Sequence, residues 1–169
     1  YGNISNCYFS GSIVTTGHEV GGLIGRHSAY YGNIINNCYS SGVVFGIANT
    51  GGLIGLNTGV PATNVTNSFW DSQTSGQTVS PGGGTSKTTL EMKTPSTFTN
   101  AGWNSMDWIL NNGSYPLLFW QGTFSGNLSN NWATAENWFS GNIPTTATDV
   151  VIAAGKTAEI ASGTSASCN

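Results

Sequence analysis

Over residues 1 to 76 the apolar positions come in short runs of three to five, each cut off by Gly, Asn, Ser or Thr. No window there keeps apolar residues at i, i+3, i+4 and i+7, so the pattern speaks for short strands and tight turns rather than helices. The runs also recur. Gly2-Asn3-Ile4-Ser5-Asn6-Cys7-Tyr8 is answered by Gly32-Asn33-Ile34-Ile35-Asn36-Asn37-Cys38-Tyr39. Ser10-Gly11-Ser12-Ile13-Val14 is answered by Ser41-Gly42-Val43-Val44, and Gly21-Gly22-Leu23-Ile24-Gly25 by Gly51-Gly52-Leu53-Ile54-Gly55. The offset is 31 residues at the Cys-Tyr pair, where the second copy has gained one residue at Ile34-Ile35, and 30 at the double glycine. A third opening, Asn64-Val65-Thr66-Asn67-Ser68-Phe69, has no Gly-Gly-Leu-Ile-Gly behind it.

A fixed period of this size marks a solenoid, propeller or array, and three apolar runs per period predict one triangular coil of a parallel β-helix. The expected fold is therefore all-β. Coils stacked at the ~4.8 Å strand spacing place like residues above one another. Cys7 and Cys38, Leu23 and Leu53, Ile24 and Ile54, and Ile4 with Ile34 or Ile35 then form columns filling a narrow core. Asn6, Asn37 and Asn67 form a further ladder at a bend, since Asn tolerates the left-handed backbone that a sharp corner requires.

Repeats of Gly-x-Ile-x-Asn-Cys-Tyr, Ser-Gly-x-Val and Gly-Gly-Leu-Ile-Gly resemble the GLUG repeats of large bacterial surface proteins, among them adhesin-like and haemagglutinin-like chains and regions accompanying secreted peptidases. The resemblance covers roughly residues 1 to 76. It implies a cell-surface location outside the cell and a structural or adhesive role, with surface glycans or other cell-surface proteins as partners. The repeat brings no catalytic residues with it.

Composition narrows this further. Only 7% of residues are charged, against about 25% in an average domain, and Gly, Ser, Thr and Asn make up about half of the chain. With Arg26, Lys87, Lys93 and Lys156 as the whole basic complement and a net charge of -3, a phosphate-binding face is excluded, and nucleic acid with it. No apolar run approaches the ~20 residues of a membrane span. Because Tyr1 begins inside a repeat, the chain reads as part of a longer protein.

Of the three cysteines, Cys7 and Cys38 stand at equivalent positions of adjacent coils, where a disulfide is geometrically possible and a ladder of buried free thiols is the plainer reading. Cys168 is left over. No second Cys or His lies close enough to any of them for a metal site, and no cofactor is expected.

Beyond residue 76, Pro81-Gly82-Gly83-Gly84 ends the repeat. Thr88-x-x-Glu91 has capping-box spacing, predicting one short helix from Thr89 to about Lys93 that stops before Pro95. Residues 77 to 120 read as a closing segment, since an open solenoid end exposes strand edges and core. Glu91-Met92, Phe98, Gly102-Trp103, Trp108-Ile109 and Gly113-Ser114-Tyr115-Pro116-Leu117 resemble the segment that follows the last GLUG repeat, which implies the same closing role. Residues 121 to 169 carry Trp132, Asn137-Trp138, Gly141, Pro144, Asp149, Val151 and Ile152, similar to the opening of other bacterial surface modules. Strands are expected at Val150-Val151-Ile152 and Ala158-Glu159-Ile160, so a second β-rich module begins here.

Two places offer sugar-stacking chemistry. Trp70 with Asp71 makes an aromatic platform beside a carboxylate, although Phe69-Trp70 in place of Cys-Tyr also reads as a plug for the last coil. Trp132 and Trp138 make a second platform, with burial at a module boundary as the competing reading. Catalysis is not expected. A glycosidase needs two carboxylates ~5 to 9.5 Å apart, and Glu19, Asp71, Asp107, Glu136 and Asp149 are scattered singly. His18 and His27 have no triad neighbours and read as solvent-facing turn residues. The sequence thus points to a non-enzymatic stalk or display segment of a surface adhesin. A carbohydrate-binding module and an ancillary domain of a secreted hydrolase or peptidase are the alternatives.

Overall fold

A computed structural model of the protein describes residues 2–28, 32–58, 64–119, 123–126, 128–139, 141–146, 150–152 and 155–167. Asp149 and Cys168, which the sequence reading singles out, lie outside them. The first coil carries β1 (Ile4–Ser5), β2 (Tyr8–Phe9), β3 (Ser12–Val14), β4 (His18–Gly21) and β5 (Ile24–His27). The second repeats them as β6 (Ile35–Asn36), β7 (Tyr39–Ser40), β8 (Val43–Phe45), β9 (Ala48–Gly51) and β10 (Ile54–Asn57). Every strand of the first coil pairs in parallel with its counterpart in the second, with Ile4 beside Ile35, Tyr8 beside Tyr39, Ile13 beside Val44, Gly21 beside Gly51 and Ile24 beside Ile54. This is a parallel β-solenoid.

The three apolar runs of each repeat become five strand segments because two of the runs bend in the middle. Asn6 and Asn37 divide the first run in the left-handed conformation, with φ of 52° and 51°. The double glycine divides the third run: a Cβ on Gly21 would stand 2.0 Å from the carbonyl oxygen of Ile24, so the bend closes only without a side chain. Register settles the extra residue of the second copy as Ile34, which is exposed, while Ile35 occupies the core column.

The third coil begins with β11 (Val65–Thr66) and β12 (Phe69–Asp71), again parallel to its predecessors. Its register corrects one expectation. Phe69 lies beside Tyr39 and Trp70 beside Ser40, so Ser68 and Phe69 take the places of Cys38 and Tyr39, and Trp70 replaces a serine. The chain then takes a short cut. The Val44 amide donates to the Ser75 carbonyl at 3.1 Å and the Gly52 amide to the Val79 carbonyl at 3.1 Å, but no leucine or isoleucine follows. Instead the Ser80 hydroxyl oxygen accepts from the Leu53 and Ile54 amides at 3.2 and 2.9 Å. The glycines after Pro81 lie close over the core: a Cβ on Gly82 would meet Ile54, and one on Gly84 would meet Leu53. The chain returns as β13 (Thr85–Lys87) to form a fourth rung in the order β13-β12-β7-β2. The core itself is Ile35, Cys38, Leu53, Ile54 and Trp70, with Ile4, Cys7, Leu23, Ile24 and Val65 packed against it.

A short helix α1 (Thr89–Met92) follows with the expected capping box: the Thr88 amide donates to Glu91 Oε2 at 2.8 Å and the Glu91 amide to Thr88 Oγ1 at 3.3 Å. The Thr88 amide bond first, and then a bond from the Thr88 hydroxyl to the same carboxylate oxygen at 2.9 Å, hold the Glu91 carboxyl below its ordinary range. The helix stops before Pro95 as expected, but a second one follows at once. Pro95 opens a second helix, α2 (Pro95–Thr99), because proline fits the first helical position, where no amide is needed.

By packing, the chain falls into two units, residues 1–104 with 110–116, and residues 105–109 with 117–169, so the closing segment contributes to both. The second unit contains β14 (Trp108–Ile109) antiparallel to β15 (Leu117–Leu118), and β16 (Thr123–Phe124) parallel to β17 (Val151–Ile152). Of the strands expected around Gly155, the first is thus β17, while Glu159 makes only an isolated bridge to Asn131. The core of this unit is Phe124, Trp132 and Trp138.

Candidate functional site

Strand alternation sends neighbouring residues of β7 and β12 to opposite sides. Trp70 points into the coil, where its ring covers Gly52: a Cβ on that glycine would come 2.0 Å from the indole. The equivalent glycine one coil earlier, Gly22, faces the small side chain of Ser40. A tryptophan therefore closes the column where the coil pattern runs out. Tyr39 and Phe69 point the other way and meet the closing segment, with ring centroids 5.6 Å apart for Phe69 and Phe98, 4.8 Å for Phe98 and Trp103, and 6.4 Å for Tyr39 and Phe98. The Trp103 indole N–H donates to the Asn67 carbonyl at 2.9 Å and the Tyr39 hydroxyl to the Pro116 carbonyl at 2.6 Å.

Asp71 is fully buried at the end of β12. Its Oδ1 accepts from the amides of Gln73 and Thr74 at 2.8 and 3.1 Å, and its Oδ2 from the Tyr115 hydroxyl at 2.6 Å. Burial, reinforced by that carboxylate, pushes the Tyr115 phenol up to about 12. Asp71 thus holds the turn after β12 and ties Tyr115 to it, a structural task for a buried acid whose oxygens all have donors.

These placements correct the sugar-platform expectation. Trp70, Asp71, Trp132 and Trp138 are all buried, the most exposed being Trp132 at 9%, so none offers a ring face or carboxylate to a saccharide. Trp132 and Trp138 pack edge to face at 4.7 Å, and the Trp138 indole N–H donates to the Trp132 carbonyl at 2.9 Å. His27 also departs from expectation. It is buried at the end of β5, beside Asn57, whereas His18 is exposed.

The ladder residues come together as columns. Asn6, Asn37 and Asn67 share the left-handed bend, with φ between 47° and 52°. Cys7 and Cys38 are free thiols on adjacent rungs, and Cys38 is enclosed where Cys7 is half-buried. Glu19 takes the same left-handed conformation as its counterpart Asn49 and forms an ion pair with Arg26 at 3.6 Å. Among the described residues no three of His, Cys, Asp and Glu cluster as metal ligands would, and no helix is long and apolar enough to cross a membrane.

One surface escapes the sequence reading. On the parallel pair β3 and β8, Ile13 and Val44 face inward while Val14 and Phe45, in register with each other, face out and are 71% and 60% exposed. Val43, on the same side of β8 as Phe45, extends this apolar strip, and Ile47 in the bend after β8 is exposed as well. The signal for it is present in the sequence: Ile13-Val14 and Val43-Val44-Phe45 put apolar residues at successive positions, and in a strand successive positions cannot share a face.

Comparison with known protein families finds no match, and no solved structure matches. Among curated proteins, the chain is 38% identical over 118 residues to a protein of Evansella cellulosilytica named "Putative Gly-rich membrane protein". The match takes in 68% of this chain and 10% of the relative's length.

Proposed function

We propose that the chain is a non-enzymatic segment of a large bacterial surface protein of the GLUG-repeat kind, whose stacked coils serve as a stiff stalk or display surface in attachment. The observation that carries this reading is the in-register stacking of near-identical coils with an exterior almost free of charge. Such a coil adds length without adding a site, since each repeat mainly contacts its neighbours. A relative whose name places it with membrane proteins agrees with a protein held at the cell envelope. The uncharged exterior favours neutral partners, such as surface glycans or other surface proteins, over nucleic acid. Burial of Trp70, Trp132 and Trp138 weighs against a carbohydrate-binding module. The accompanying role beside a secreted hydrolase or peptidase shares the same scaffold reading.

The test is a bead-retention assay. Beads coated with the protein are washed under flow over bacterial cells, glycan-coated glass and protein-coated glass. Attachment through the coil face predicts retention on at least one surface, reduced several-fold by Val14→Ser with Phe45→Ser at unchanged far-ultraviolet circular dichroism. Retention on none of them would sink the attachment role and leave the stalk alone.

A further inference from the structure

The cysteine column holds two members and no third, because Ser68 takes the equivalent place in the next coil, where its hydroxyl accepts from the Cys38 amide at 3.1 Å. Cys7 and Cys38 are bracketed by the register pairs Ile4 with Ile35 and Tyr8 with Tyr39, so they occupy facing positions on neighbouring rungs. Both side chains turn the same way after a left-handed asparagine: each thiol lies 3.2 Å from the carbonyl two residues back, Ser5 for Cys7 and Asn36 for Cys38. Rungs ~4.8 Å apart fall within the ~4.4 to 6.8 Å span of Cα separations across a disulfide, and from that spacing the two Cβ atoms must close by about 1 Å to reach the ~3.8 Å typical of a bridge.

We propose that Cys7 and Cys38 are an oxidisable pair, closing into a disulfide that staples the first coil to the second when a small-molecule disulfide such as glutathione disulfide reaches the half-exposed Cys7. Cys7, as thiolate, attacks one glutathione sulfur; the glutathione S–S bond breaks, one glutathione leaves as thiolate and takes up a proton. Cys38 then gives its proton to solvent and attacks Cys7 Sγ, and the second glutathione departs. Two protons and two electrons pass from the pair to the oxidant, which ends as two thiols. The order of attack follows from exposure, since Cys38 is buried between rungs. Burial also pushes its thiol up to about 11, so the closing step is slow at neutral pH and quickens as pH rises.

The test uses the full chain carrying Cys168→Ser, incubated with glutathione disulfide at pH 8 and digested without reduction. The expected result is a peptide linking Cys7 to Cys38 within one chain, a mass loss of two hydrogens, and a thermal midpoint raised by on the order of 10 °C that dithiothreitol reverses. In a second variant that also carries Cys7→Ser, Cys38 should resist glutathione while the protein stays folded. Recovery of two free thiols, a mixed disulfide that stays at Cys7, or links formed only between chains would overturn the proposal. Modification of Cys38 in the second variant as fast as that of Cys7 would overturn the order of attack.

Discussion

Leu53 of the solenoid and Asn137 of the second unit are both buried, but they hold their surroundings together differently. Leu53 sits in a column, bonded through its carbonyl to the Leu23 amide at 2.9 Å and packed with Ile35, Cys38, Ile54 and Trp70, and the same arrangement is begun a coil earlier by Leu23. Asn137 has no copy. Its Oδ1 accepts from the Leu128 and Ser129 amides at 3.0 and 2.9 Å, its Nδ2 donates to Ser129 Oγ and the Asn131 carbonyl at 2.9 Å each, and its own carbonyl accepts from the Ser125 amide at 2.7 Å. Around it Phe124 and Trp132 pack on Trp138 at 5.0 and 4.7 Å. Repetition spreads stability over many small, equivalent contacts, whereas a hub concentrates it in one side chain whose every polar atom is satisfied.

Five substitutions, in four tests, break or sharpen that contrast. The largest effect is expected from Leu53→Ala, which leaves a cavity in the enclosed coil and should cost about 4 kcal/mol; Leu23→Ala, on the half-exposed first coil, should cost about half as much. Urea unfolding followed by circular dichroism reads both, and equal losses would show that burial does not grade the columns. Next, Asn137→Ala strands the Leu128 and Ser129 amides and should cost about 3 kcal/mol. Tryptophan fluorescence should show that loss in the second unit, and a loss under ~1 kcal/mol would remove the hub.

Tyr115→Phe comes third, leaving Asp71 Oδ2 without its phenol donor at a cost of about 2 kcal/mol at neutral pH. The phenol is raised in the folded chain from 10.0 to about 12, so the folded state holds its proton more tightly. Its contribution is complete below pH 10.0 and is lost as pH rises through about 12. The stability gap between wild type and variant should therefore shrink over that window, and a constant gap would refute the linkage. The smallest effect is a gain. Glu19 holds φ of 59° where the second coil uses Asn49, and asparagine tolerates that conformation better. Its ion pair with Arg26 is solvent-exposed and worth little, so Glu19→Asn should stabilise by about 0.5 kcal/mol, measured as a shift in thermal midpoint.

Within the coils nearly everything was legible, because a repeat lets each position be read twice: the Asn bends, the Leu-Ile columns and the thiol pair all follow from the 30- and 31-residue offsets. Reading failed where the repeat stops. Setting Trp70 against Tyr39 rather than Ser40 is a slip of one position, and in a strand one position exchanges inside for outside; the reading of Trp70 as a plug for the last coil nevertheless holds, and the platform does not. Past the repeat, Trp132 and Trp138 look alike whether they bind a sugar or each other, since both uses need the same residue type.

The sequence alone determined that the chain winds in parallel coils, where it bends and which side chains stack, because periodicity turns a one-dimensional offset into a spatial neighbour. Tertiary structure alone decided which aromatic residues face solvent, that Asp71 is fully buried under Tyr115, and that Asn137 anchors the second core. Those contacts join residues of unrelated spacing. Their partners are selected by shape and hydrogen-bond geometry, and no pattern along the chain records either.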